Sequence, residues 1–190
     1  MSPAAAAAAT HRPPIEGHRL IGDGRSAFLL RPDAEIDWWC APDFDSAPLC
    51  WSLLDRAGGA ARFRDVRYSS RSTEPAGRTA RTLLMAGCGR VEVWDGLLPA
   101  PQSGGEATDM AGPVLVRLVR ALDGPLKITH EVSVGGFTEP PARWAVSGNA
   151  AYAEVGEHRV AVTGGAVGVE GVVATSLLSA PQRRWCAVVA

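Results

Sequence analysis

Lysine is nearly missing from this 190-residue chain: of its 19 basic residues, only Lys127 is not an arginine. Twenty acidic residues bring the formal net charge to −1. No excess of positive charge therefore points to nucleic acid or to an anionic membrane surface, both of which call for a basic patch. Long apolar runs are missing too. No window approaches the roughly 20 apolar residues of a membrane-spanning helix. The alanine-rich residues 1–14 lack the charged start and apolar middle of a secretion signal, so they read as a disordered tail on a cytoplasmic protein. Cysteine is scarce and badly spaced for metal: Cys40, Cys50, Cys88 and Cys186 contain no C-x-x-C pair, and His11, His18 and His158 are scattered. No metal and no cofactor is expected. Cys40 and Cys50 are close enough in sequence for a disulfide, but two buried free thiols are the reading that suits a reducing compartment. Gly22-Asp23-Gly24 lacks both the G-x-G-x-x-G pattern and a following helix, which excludes a nucleotide loop. Ser26, Ser46 and Ser52 have no G-x-S-x-G context.

Glycine (21) and proline (14) are plentiful and break the chain about every ten residues. That spacing suits many short strands joined by turns. Strands are expected at Leu20-Ile21, Ser26–Leu30, Ile36–Cys40 and Ala61–Arg64. A hairpin should join Arg78–Ala86 to Val91–Asp95 across Gly87-Cys88-Gly89. Val114–Leu122 carries valine or leucine on both faces, so both faces are expected to be covered. Leu126–Val134 alternates cleanly, with Leu126, Ile128, His130, Val132 and Val134 inward. Further strands follow at Arg143–Val146, Ala151–Val155, His158–Thr163, Val172–Leu178 and Arg183–Val189. One short helix is expected over Pro48–Arg56, where Leu49, Leu53 and Leu54 recur at helical spacing and Gly58-Gly59 provides a stop. The fold class that follows is all-β: a large two-sheet antiparallel β-sandwich over residues 15–190, with one short helix. A hydrophobic content of 46% is enough for one such core.

Glycoside hydrolysis uses two carboxylates, so Asp43 and Asp45, which share a loop with Phe44, are the pair to weigh. Their plainer role is to shape the loop and cap the expected helix. Alternation along Ile36–Cys40 puts Ile36, Trp38 and Cys40 on one face and Asp37 and Trp39 on the other. Trp38 then belongs to the core, and Trp39 to a surface or interface. His130, on an apolar strand face, is expected to be a partnered core histidine. No catalytic residue stands out.

Several stretches resemble the amino-terminal region of bacterial and archaeal glycoside hydrolase family 15 proteins, the glucoamylase and trehalase-like group. The strongest is Leu20-Ile21-Gly22-Asp23-Gly24-Arg25-Ser26-Ala27-Phe28-Leu29, continued by Glu35-Ile36-Asp37-Trp38-Trp39-Cys40 and Phe44-Asp45-Ser46. It resembles the family signature I-G-[DN]-G-R-x-A-x-L, I-D-W-x-C and P-R-F-D-S. Gly89–Pro99 resembles a family strand ending in D-x-[ML]-P, and Leu115–Gly124 resembles its L-x-R-x-V stretch. Two departures are visible: Asp43 stands where the family has arginine, which would remove a salt bridge or a substrate contact, and Pro32-Asp33-Ala34-Glu35 replaces a tight D-G turn.

The resemblance implies a supersandwich of large antiparallel sheets followed by an (α/α)6 barrel, whose two glutamates hydrolyse α-glucosidic bonds with inversion. No barrel-length helical region follows within this chain, so the sandwich is expected to be a non-catalytic support for a barrel supplied in cis or in trans. Trp39, Asp43, Phe44 and Asp45 would lie at the substrate rim or the barrel interface, and an α-glucan or trehalose is the ligand class implied. Without the barrel an apolar patch is expected on the surface. The alternatives are a standalone carbohydrate-binding or interaction module and, last, an autonomous enzyme.

Overall fold

A computed structural model describes residues 13–73, 78–99, 112–123, 126–135, 137, 142–148, 150–163, 174–178 and 183–189. The expected tail falls almost wholly outside these residues, as does the polar stretch 100–111. Two antiparallel sheets face each other. The first contains β1 (Arg19–Gly22), β2 (Ala27–Leu30), β3 (Ile36–Cys40), β5 (Ala60–Phe63), β10 (Leu126–Ser133) and β14 (Ala174–Leu178) in that order, with β4 (Pro48–Cys50) paired to β3. The second runs β11 (Ala145–Ser147), β12 (Ala150–Val155), β13 (His158–Thr163), β15 (Arg183–Val189), β9 (Val114–Ala121), β8 (Gly89–Leu98), β7 (Thr79–Ala86) and β6 (Val66–Thr73). Phe28, Ile36 and Phe63 of one sheet share a single buried core with Leu84, Val93 and Leu115 of the other. The all-β sandwich is thus present, with a strand, β6, that the alternation pattern does not announce.

Period-two patterning works where pairing is regular. In β10, Ile128, His130 and Val132 are buried while Thr129, Glu131 and Ser133 are only partly so. In β9, Leu115, Arg117, Val119 and Ala121 face inward, and the apolar outer face of Val114, Val116 and Leu118 is half-buried. The β7–β8 hairpin turns at Gly87 and Cys88, with Gly87 at φ +58°, a conformation glycine adopts without strain. Ala34 takes the same left-handed region at φ 61°, in the turn that replaces the family's D-G.

Two expectations need correction. The alternation of β3 is out of phase, because Leu29 pairs with Trp38 and Leu30 with Ile36, leaving Asp37 as the extra residue of a β-bulge. One inserted residue turns every later side chain to the opposite face. Trp39 is therefore the core residue, 1% exposed, and Trp38 is the half-exposed one.

The helix over Pro48–Arg56 does not form either. Pro48 and Cys50 pair with β3, the Leu49 carbonyl accepts from Gly135 N–H at 2.9 Å, and the Trp51 and Ser52 N–H groups donate to Gly59 O at 2.9 and 3.1 Å. Backbone groups committed to distant partners are not free for a helical ladder. Only a single turn survives, where Leu54 and Asp55 N–H donate to Trp51 O, and Leu54 is left 65% exposed. Among the described residues the one helical segment is a 3-10 turn at Ile15–Gly17, and no helix is long and apolar enough to cross a membrane.

Candidate functional site

The motif loops meet at one end of the first sheet. Asp23 folds the β1–β2 turn by accepting, through Oδ1, from the backbone N–H of Arg25 (2.9 Å) and Ser26 (2.8 Å). Ser26 is buried beneath that turn. Its hydroxyl donates to the Cys40 carbonyl at 2.6 Å and accepts from Trp39 Nε1 at 3.1 Å. Trp39 thus props the junction from inside, and its indole N–H is satisfied there.

Above it, the Arg25 guanidinium spans the two loops and donates to Asp43 Oδ1 from Nη2 (2.8 Å) and Nε (2.9 Å). Asp43 N–H donates to Ser46 Oγ at 3.1 Å, and Ser46 N–H returns to Asp43 O at 3.2 Å, which closes the 43–46 loop on itself. The result is a fixed base presenting an open tip: Phe44 is 61% exposed and Asp45 is exposed beside it. Among the described residues Asp45 makes no hydrogen bond or ion pair.

The four rim residues expected from sequence therefore separate into three roles. Trp39 is an internal prop and is not available to stack on a sugar. Asp43 is held by Arg25, so its carboxylate makes a salt bridge in this chain where the charge reversal was expected to remove one. Phe44 and Asp45 remain exposed at the loop tip. Asp43 and Asp45 thus differ in surroundings, the first paired with Arg25 and the second without a partner among the described residues.

A second polar cluster lies in the core; of its members His130 was expected from sequence as a partnered core histidine, while Asp95 and Arg117 were not singled out, although they sit in the quoted motif stretches. Arg117 of β9 stands opposite Asp95 of β8, and both side chains are 0% exposed. All five guanidinium N–H groups are spent. Nε and Nη2 donate to the Asp95 carboxylate at 2.6 and 3.3 Å, Nη1 donates to Ala61 O (3.1 Å) and His130 Nε2 (3.0 Å), and Nη2 also donates to Ala34 O. The guanidinium carbon lies 4.8 Å from the centroid of the Phe63 ring. This arginine bolts the second sheet to two carbonyls of the first and has no donor left for a ligand.

Arginine only donates, so His130 Nε2 must accept, and the ring carries its proton on Nδ1. Burial, together with the positive charge of Arg117, holds His130 well below the usual histidine range. A base with a lowered folded pKa loses stability as the pH falls, because the unfolded chain takes up the proton first. Below about pH 6.5 that loss amounts to about 1.4 kcal/mol per pH unit. Urea unfolding at neutral and mildly acid pH should show it. His130→Gln keeps an accepting oxygen without titrating, and its stability should fall less over the same interval.

Cys40 and Cys50 are buried free thiols, as expected, and burial pushes the Cys50 thiol up to about 12. Cys88 is exposed at the hairpin tip. Among the described residues no three His, Cys, Asp or Glu side chains come together in a way that would hold a metal ion.

Comparison with known proteins agrees with the motif. Residues 7–85 match the trehalase-like N-terminal domain family. A trehalase of Thermoplasma volcanium is 40% identical over 47 residues, which make up 25% of this chain and 8% of that relative. The chain thus aligns with a small part of the relative's length. The matched region contains β1 to β6, the two-loop platform and all but the last residue of β7; Asp95, Arg117 and His130 lie beyond it.

Proposed function

We propose that this trehalase-like N-terminal region is the non-catalytic β-sandwich of an α-glucoside-hydrolysing enzyme of the glycoside hydrolase family 15 kind, and that its platform is offered to an (α/α)6 catalytic barrel in cis or in trans. The observation that carries the reading is the Phe44–Asp45 tip: an exposed aromatic and an unpartnered carboxylate on a base fixed by Trp39, Ser26 and the Arg25–Asp43 bridge. Fixing loops in advance lowers the ordering cost of docking. The apolar outer face of β9, with Leu98 beside it 54% exposed, supports a further partner surface on the second sheet.

The test is to co-express the chain with a helical catalytic segment encoded at its own locus and to measure glucose release from trehalose and maltose. The chain alone should release none. The pair should be active, and Phe44→Ala and Asp45→Asn should each lower that activity about tenfold or more, an interface loss of roughly 1.4 kcal/mol, with the melting temperature unchanged. Glucose release by the isolated chain, lost on Asp45→Asn, overturns the proposal. A second reading, a sugar-binding module, is favoured by the same exposed aromatic. Calorimetric titration with maltose, trehalose and soluble starch separates it: heat that disappears in Phe44→Ala supports it, and no heat with any of them removes it.

A further inference from the structure

We propose that β6, the outer strand of the second sheet, is a docking edge for an extended acidic segment of a partner protein, which adds to the sheet as one further strand. Among the described strands, β7 is the one hydrogen-bonded neighbour of β6. Along its other side, alternate backbone N–H and C=O groups therefore face no strand of this chain. The side chains are as open as the backbone: Val66 is half-buried, and Arg67, Tyr68, Ser69 and Ser70 are all exposed.

Tyr68 shows how far this strand reaches past the first sheet. It stands opposite Leu84, which is fully buried in the core, so it points to the inner face of its sheet. Yet it is 49% exposed. The chain passes from β5 of the first sheet to β6 of the second across Arg64 and Asp65 alone, and by Tyr68 the first sheet no longer covers it. The unpaired edge and this bare stretch of inner face meet along one ledge.

The outer face of the same edge is basic. Arg67 stands opposite Met85, on the half-buried outer side of β7, and its side chain has no hydrogen bond or ion pair with any described residue. Arg78, at the other end of the β6–β7 hairpin, is exposed and likewise unpaired among the described residues. Residues 64–81 hold five arginines and two acidic residues. Of those arginines, Arg64 and Arg81 are answered by Glu131 at 2.6 Å and Glu92 at 2.5 Å.

Charge decides the occupant. β6 contains Arg67 and Arg71 and no acidic residue, so pairing it with the β6 of a second copy gathers like charges, which destabilise a strand pair. The register shift between Tyr68 and Ser70 further breaks the regular run that self-pairing needs. Both features guard an open edge against its own kind, and both leave it open to a strand of opposite charge. Side chains alternate across a sheet. A partner strand that alternates carboxylates with apolar side chains therefore sets its acids beside Arg67 on the outer face and covers Tyr68 on the inner one. Backbone hydrogen bonds supply the attachment, and the alternation supplies the choice of partner.

Two end-blocked peptides of strand length, one alternating glutamate with valine and the other lysine with valine, test this on the full chain. With the acidic peptide at about ten times its dissociation constant, alternate amides between Val66 and Ser70 should exchange about tenfold more slowly, while the amides of β9 keep their rates. Arg67→Glu should weaken that binding at least tenfold, and Tyr68→Ala several-fold. Both change exposed side chains, so their melting temperatures should match the parent's; Arg67→Gln, with a smaller loss, serves if the charge reversal does not fold. Binding should also fade in about 1 M salt, where screening acts within about 3 Å. The proposal is overturned if the acidic peptide slows no β6 amide, if the lysine peptide slows them equally, or if Arg67→Glu binds as the parent does. A single-stranded oligonucleotide that displaces the acidic peptide and binds more tightly assigns the edge to nucleic acid, and overturns it as well.

Discussion

Arg117→Ala should cost about 3–5 kcal/mol of folding stability, a large share of the roughly 5–15 kcal/mol typical of a domain. The loss comes less from the missing attraction than from what remains. Asp95 becomes a fully buried carboxylate with no counter-ion, and two carbonyls and the His130 acceptor lose their donors. Burial already pushes the Asp95 carboxyl upward, and Arg117 is the charge that opposes it. Arg117→Lys should recover only part of the loss, since an ammonium cannot match the five-way fork. Replacing both partners, Arg117→Met with Asp95→Leu, should recover the part of the loss that comes from the unpaired carboxylate, but stay less stable than the parent, because Ala61 O, Ala34 O and His130 Nε2 still lack donors. Urea denaturation of the four proteins measures all of this; a single Arg117→Ala as stable as the parent would show that the bolt carries little.

Gly59→Ala is expected to destabilise the fold by about 3 kcal/mol, at the upper end of what overpacking a tight interior causes. A β-carbon there would stand 2.3 Å from Leu49 O, 2.8 Å from Ser133 O and 2.9 Å from Val134 Cα. All three are backbone atoms, and the segments carrying them are tied together by Gly59 N–H to Gly135 O (3.0 Å) and Gly135 N–H to Leu49 O (2.9 Å). None can move without breaking a neighbour's hydrogen bond. Gly58→Ala is the control. Its β-carbon would meet the Trp51 indole at 2.3 Å and one backbone atom, Asp55 O, at 3.0 Å, so a side chain rather than three backbone segments must give most of the room, and a smaller loss is expected. Thermal unfolding of both variants decides it, and equal melting temperatures would contradict the argument.

These two positions show where reading the sequence succeeds and where it stops. The glycine pair at 58–59 is visible as a break in the chain, but its reason is not a helix end; it is the crossing of β4, the start of β5 and the end of β10. Asp95 and Arg117 are visible as motif letters 22 positions apart. Nothing local says that β8 and β9 pair in the register that brings them face to face. His130 is legible because its own strand alternates without interruption.

The platform was half legible. Asp43, Phe44 and Asp45 sit on an exposed loop as the motif suggested. Trp39 and Trp38 exchanged roles because a bulge is created by pairing with β2 rather than by the residues of β3 themselves. Asp37 also meets His18, 19 positions away, a contact that no spacing rule connects. Sequence alone determined the strand periods, the hairpin at Gly87-Cys88 and the all-β class, because these follow from backbone geometry and the side-chain pattern over a few residues. Only the tertiary structure decided which face each aromatic takes, which charges are buried together and whether Pro48–Cys50 is strand or helix. Those outcomes depend on register and on backbone hydrogen bonds between segments far apart in the chain.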